Sequence, residues 1–150
     1  MRRWGATTPA SRAILTGGVS RENLETVQQA LDAMNQRDIE RYLSYCTDDI
    51  ELWSPNSGID GAYEGQSGIR RFFAEIEDYG PDFRLEVGGA EAVGANRVIA
   101  LLHATATGRA SGAATGQPLT TVYDLAGGRI WRIRVFQDRA AAIQAATMPD

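Results

Sequence analysis

His103 is the chain's one histidine, and its ordinary pKa suits proton transfer near neutrality. It sits in an apolar run from Arg97 to Thr107, two positions from Thr105. A second run, Leu119 to Leu125, carries Thr121 and Tyr123. Inside a pocket, a neutral imidazole can take a proton from water or from an acidic C–H of a bound ketone. Tyr123 or Thr105 would then hydrogen-bond the oxygen on which negative charge develops. His103 and Tyr123 are therefore the catalytic candidates. The plainer alternative stays open: a pocket-lining or core histidine satisfied by a neighbouring hydroxyl, with Thr105 and Thr121 as ordinary strand formers.

Other chemistries find less support in the composition. One cysteine and one histidine leave no internal disulfide, no thiolate cluster and no multi-histidine metal site. The expectation is chemistry without metal or organic cofactor. Cys46 falls on the apolar side of a helical pattern and reads as a buried thiol. A net charge of −4 gives no electrostatic reason to expect nucleic acid or an anionic membrane as partner. All 15 basic residues are arginines. No apolar run approaches membrane-spanning length, and cytoplasmic residence is the default. The glycines from Gly108 to Gly116 do not form a phosphate loop, because no GK[ST] sequence follows and no helix begins there.

The positioning elements follow from periodicity. At 150 residues the chain is long enough for one domain with a substantial core. Residues 1–19 show no period that could pack, so they are expected to be a disordered extension, or an artefact of a start codon placed upstream of Val19. Ser20 is the expected N-cap of a helix carrying Leu24, Val27, Leu31 and Met34 at helical spacing. Asp38 caps a second helix with Ile39, Tyr42, Leu43 and Cys46 on one side. A short strand, Ile50 to Trp53, follows. Ser67 opens a third helix whose stripe is Ile69, Phe72, Phe73 and Ile76. Phe83 to Val87 alternates as a half-buried strand, and a brief segment from Glu91 to Val93 precedes the two runs already described.

The turn Ala126-Gly127-Gly128 reverses the chain into a last strand, Arg129 to Phe136. Asp138 then caps an alanine-rich tail helix to about Ala146, too short to stand unless docked. Helices segregated from a mostly antiparallel sheet make an α+β domain, expected over residues 20–146 with a tail at 147–150.

Strand alternation is read as placing Ile99, Leu101, His103, Thr105 and Thr107 on one side of their strand, and Trp131, Ile133 and Val135 on one side of the last. These sides are taken as the wall of a pocket. Leu101, Thr105, Thr121, Trp131, Ile133 and Val135 then become candidate substrate contacts, joined by Phe72 from the third helix. Tyr63 could reach the mouth from the loop before that helix, and Trp53 could stack on a flat ligand. Arg132, Arg134 and Phe136 occupy the other side of the last strand and fit a homodimer surface, where arginine and aromatics are enriched.

Several segments together resemble a known family: Asn35-Gln36-Arg37-Asp38 between two helices, the Asp48-Asp49-Ile50 strand entry, Gly61 to Gly65 followed by Gly68-Ile69-Arg70-Arg71-Phe72-Phe73, Gly108-Arg109-Ala110-Ser111-Gly112, and the closing Gly128 to Arg139. Their order and spacing resemble the SnoaL-like division of the nuclear-transport-factor-2-like superfamily, over about Ser20 to Ala146. The resemblance implies a cone-shaped domain in which a curved sheet packs against three helices around a deep apolar pocket. It also implies a homodimer.

Relatives include ketosteroid isomerases, polyketide cyclases and limonene epoxide hydrolases, so the fold does not choose the reaction. Alignment places the isomerase's proton-shuttling aspartate at Ser54, its oxyanion-binding tyrosine at Ala30 and its protonated aspartate near Leu119. The hydrolase's arginine and two aspartates fall at His103, Thr105 and Val135, and the cyclase's acid–base aspartate falls near Val135. None of these residues can do the work of the group it replaces. The expectation is a cofactor-free isomerase, cyclase or hydrolase acting on a small hydrophobic oxygenated metabolite. The alternatives are a non-catalytic ligand-binding module and a structural homodimer with a filled interior.

Overall fold

The computed structural model describes residues 10–54, 61–79, 82–107 and 114–147. Its elements in chain order are α1 (Ala10–Asn35), α2 (Ile39–Ser44), β1 (Cys46–Trp53), β2 (Tyr63–Glu64), α3 (Gly65–Ile76), a 3-10 turn (Glu77–Tyr79), β3 (Arg84–Val93), β4 (Arg97–Thr107), β5 (Ala114–Ala126), β6 (Arg129–Phe136) and α4 (Arg139–Thr147). The strands form one sheet in the order β2-β1-β6-β5-β4-β3. Only β1 against β6 is parallel among the recorded pairings. This is the expected α+β architecture with a mostly antiparallel sheet. No described helix is long and apolar enough to cross a membrane.

Ser20 is not a helix start, because α1 begins at Ala10 and runs through it. Buried at that point, Ser20 donates to the Gly94 carbonyl and Asn23 to that of Ala95. The two side chains pin the turn between β3 and β4 to the helix. Of the expected N-terminal extension, residues 1–9 lie outside the described residues.

At the other end of α1 the chain turns through Arg37, which has φ 59°. The Asp38 amide reaches back to the Ala33 carbonyl, closing the helix with a left-handed residue where glycine is usual. Arginine is held there by its own side chain, which bonds Met34 O, Phe83 O and Glu77. Asn35 pairs with both the amide and the carbonyl of Leu85, as a strand would. Asp38 caps α2 through the Arg41 amide, as its position predicted. Cys46 is buried as expected, but it opens β1 rather than ending a helix.

Helices α1, α2 and α3 cover one face of the sheet. Val27, Leu31, Met34, Tyr42, Ile69, Phe73 and Ile76 pack there against Ile50, Leu52, Val98, Leu102, Tyr123, Ile130 and Ile133. On the opposite face, α4 lays Ala142 and Ala146 over Ile99 and Val122. That docking supports a helix too short to form alone. Its start is capped by Asp138, whose carboxylate accepts from the Ala140 amide.

The hairpin between β5 and β6 turns on Gly127 and Gly128, with φ of 60° and 81°. Two successive positive φ values are what a two-residue turn of this hand requires.

Candidate functional site

Between the helices and the inner sheet face lies a cavity of about 700 Å³, within the roughly 300–1,000 Å³ usual for small-molecule sites. Its sheet wall comes from Leu102, Ala104 and Ala106 of β4, Leu119, Thr121 and Tyr123 of β5, and Ile133 and Val135 of β6. Leu31, Met34, Tyr42, Phe72 and Ile76 supply the helical side. The alanines explain why there is space: a strand packing large side chains inward at those positions would fill it.

Two phenols and a hydroxyl interrupt this apolar surface. Tyr42, Tyr123 and Thr121 are each at most 4% exposed. Burial pushes the phenol of Tyr123 up, with the Cys46 thiol adding to the effect and the Thr121 hydroxyl opposing it. Burial does the same to Tyr42, assisted by Cys46 and Tyr123. Both phenols therefore keep their protons across the physiological range and are available as donors. Thr121 Oγ1 is close enough to act on Tyr123, yet it completes no hydrogen bond among the described residues. Buried side-chain oxygens are normally satisfied.

The rim is differently built. The Tyr63 hydroxyl donates to Glu75 Oε1, and Arg71 lies 3.7 Å from the other carboxylate oxygen. The Arg71 guanidinium also sits 4.5 Å above the Tyr63 ring, while Phe72 meets that ring edge-on at 5.4 Å. Gly68 lets the Tyr63 backbone come this close, since a Cβ there would lie 2.8 Å from the Tyr63 carbonyl carbon. Among the described lining residues, Glu75 is the one carboxylate, and about half of its side chain is exposed.

Of the residues singled out from the sequence, Tyr63, Phe72, Thr105, Thr121, Tyr123, Ile133 and Val135 line the cavity. Four do not. His103 is exposed, and its neighbours Leu102 and Ala104 are the ones that turn inward; it stands opposite Glu86 and Pro118 in the strand ladders. Leu101 shares the outer phase. The expected phase of β4 is thus reversed, and the imidazole is not positioned to act on a molecule in the cavity.

Trp131 is displaced by an irregularity in the β5–β6 ladder. Asp124 pairs with Arg132 while Leu125 pairs with Ile130, so Trp131 is skipped and lines a cleft on the outer face. There Arg132 stacks on its ring at 4.7 Å. Trp53 is 40% exposed, and its indole N–H donates to Glu51.

Sequence reasoning missed Tyr42 as a cavity residue, although a phenol in the apolar stripe of α2 was a usable signal. It also missed the alternating alanines of β4.

The outer cleft, about 670 Å³, is formed by the β3–β4 turn, Asp124, Trp131 and the end of α4. Its charges serve one another. Asp124 receives Arg97 at 2.5 Å, Arg132 at 2.8 Å and Arg134 at 3.1 Å, and Arg97 also bonds the Ala146 carbonyl. Phe136 packs beside α4. The three residues expected to form a homodimer surface are therefore engaged within the chain, Arg132 and Arg134 with Asp124 and Phe136 in the α4 cluster.

The same architecture occurs in solved structures. A cystatin-fold protein from Novosphingobium aromaticivorans shares 27% identity, with a TM-score of 0.64 over 76% of this chain and 97% of that one. A protein from Jannaschia named as a candidate SnoaL-like polyketide cyclase shares 20%, with a TM-score of 0.70 over 89% and 97%. TerC co-crystallised with polyporic acid shares 21%, with a TM-score of 0.68 over 85% and 99%. At 20–21% identity the last two show a common fold alone. No match was found among curated proteins. The family model for the SnoaL-like domain matches residues 27–133, from the middle of α1 to the sixth strand, and with the fold described above the chain belongs to the SnoaL-like domain family.

Proposed function

We propose that the protein binds a small, largely apolar molecule in the cavity between the sheet and helices α1 to α3. The observation that carries this reading is the hollow itself: about 700 Å³, bounded on the β4 side by the small side chains of Ala104 and Ala106. Close packing is the rule in protein interiors, so an unfilled apolar space of this size points to a ligand. Filling it with Ala104→Phe tests the reading. The variant should weaken binding of a bicyclic hydrocarbon such as tetralin at least about tenfold, or about 1.4 kcal/mol, measured by titration calorimetry. Equal affinity in the two proteins would place binding elsewhere.

A second reading, cofactor-free acid–base catalysis of the isomerase, cyclase or hydrolase kind, is supported by Glu75. The positions where relatives keep their acids hold Ser54, Leu119, Thr105 and Val135 here, so a carboxylate on the lining has to come from α3. Under this reading Glu75→Gln binds the molecule but no longer converts it. We propose a homodimer as well; exposed Trp53 and half-buried Leu101 on the outer face support it, and light scattering on the purified protein tests it.

A further inference from the structure

We propose that the bound molecule is an amphiphilic carboxylate, whose apolar body fills the cavity while its anionic end stays at the rim, received by the Nη groups of Arg71. The proposal rests on the cavity reading and adds the charge of the ligand and the residue that selects it.

Arg71 is held in place from two sides. Its guanidinium lies 4.5 Å above the Tyr63 ring, where the π face attracts a cation, and its Nε stands 3.7 Å from Glu75 Oε2. That separation makes an ion pair but is too long for a hydrogen bond. The ring beneath the guanidinium is itself fixed, because the Tyr63 backbone packs directly on Gly68 of α3. Among the described residues no acceptor takes the Nη groups of Arg71. A guanidinium offers them as a planar fork that matches the two oxygens of a carboxylate.

Glu75 is committed differently. One of its oxygens accepts from the Tyr63 hydroxyl, and the other faces Arg71. An ammonium arriving at the rim would compete with the phenol for the first and be repelled by the guanidinium beside the second. A carboxylate arriving at the Nη edge displaces only water.

Burial decides where the charged end sits. Arg71 and Glu75 are the ionised groups of the described lining, and each is about half exposed. A carboxylate drawn further in would lose its hydration and meet no counter-ion, at a cost that neutral hydroxyls do not offset. At the rim it keeps part of its water and gains the guanidinium, while the body behind it leaves water for the apolar wall.

Butylbenzene, 4-phenylbutyrate and 4-phenylbutylammonium share one shape and differ at the end that reaches the rim. By titration calorimetry at neutral pH and low salt, the carboxylate should bind the wild-type protein about 3- to 10-fold more tightly than the ammonium, and added salt should shrink that ratio. Arg71→Gln should bring the two affinities to within about twofold of each other. Arg71→Lys, which keeps the charge without the planar fork, should retain part of the preference, and Arg71→Glu should invert it. Ala104→Phe should weaken all three probes, because each places its ring in the cavity. Equal affinities or an ammonium preference in the wild type, a carboxylate preference unchanged in Arg71→Gln, or a carboxylate affinity untouched by Ala104→Phe overturns the rim site, while butylbenzene binding that Ala104→Phe weakens leaves the cavity reading standing. If none of the three probes binds, the cavity reading falls and the rim site with it.

Discussion

Thr121 and Asp124 lie three positions apart on one strand, both nearly inaccessible to water, and they are treated in opposite ways. Asp124, on the outer face, is gripped by three arginines drawn from β4 and β6. Thr121, on the inner face, meets no protein partner among the described residues. A buried carboxylate left alone would be very costly, whereas a lone hydroxyl is tolerable. The charged cluster accordingly has the marks of structure: three arginines meet one carboxylate, and together they tie the last three strands and the end of α4 to one another.

Breaking the outer cluster should have the largest effect. Asp124→Asn leaves three guanidinium groups crowded together without their counter-charge and should destabilise the fold by about 3 kcal/mol, read from urea denaturation. If the loss stays under about 0.5 kcal/mol, the usual range for a surface substitution, the arginines escape to water on their own and the cluster is not structural.

The inner face should respond to alkali instead. Burial pushes the Cys46 thiol up from 9.0 to about 12, so above pH 9 the unfolded chain loses this proton while the folded one keeps it. The unfolded state then binds fewer protons, and stability falls as pH rises from about 9 to about 12, by up to about 1.4 kcal/mol per pH unit for this group. Tyr42 and Tyr123, shifted in the same direction, extend the fall above pH 10. Cys46→Ala should flatten the slope of the urea midpoint between pH 9 and 10; an unchanged slope would mean the thiol is not insulated from water.

The smallest effect is expected at His103. On an exposed outer position, His103→Ala should leave both stability and tetralin affinity within about 0.5 kcal/mol of wild type. A large loss of binding would restore the inward phase of β4 that the structure reverses.

That reversal shows where the sequence stops being readable. Asp38 and the glycine pair at 127 and 128 act locally, through one cap and one turn, so their roles can be read without knowing the rest of the chain. The phase of β4 cannot. Val98, Ile99 and Ala100 are all nearly fully buried, because α1 to α3 cover one side and α4 the other. A strand covered on both faces loses the polar alternation that would reveal its orientation. Assigning the pocket to the side bearing His103 followed polarity, whereas the inner side is marked by smallness at Ala104 and Ala106, with Thr105 between them also reaching the cavity.

Trp131 fails for a related reason. The skipped residue between Ile130 and Arg132 shifts the count by one, and nothing in the local pattern announces it. Tyr123 and Thr121 were recoverable because β5 alternates without interruption from Leu119 to Asp124.

The parallel pairing of β1 with β6 sets a timetable for synthesis. Cys46–Trp53 leaves the ribosome before its partner on that side, Arg129–Phe136, because β2 to β5 lie between them in the chain. Until then the first strand has only the two residues of β2 beside it, with an edge open to other chains. Contacts this distant in sequence form slowly, and the sheet cannot close around its hollow before β6 has been made.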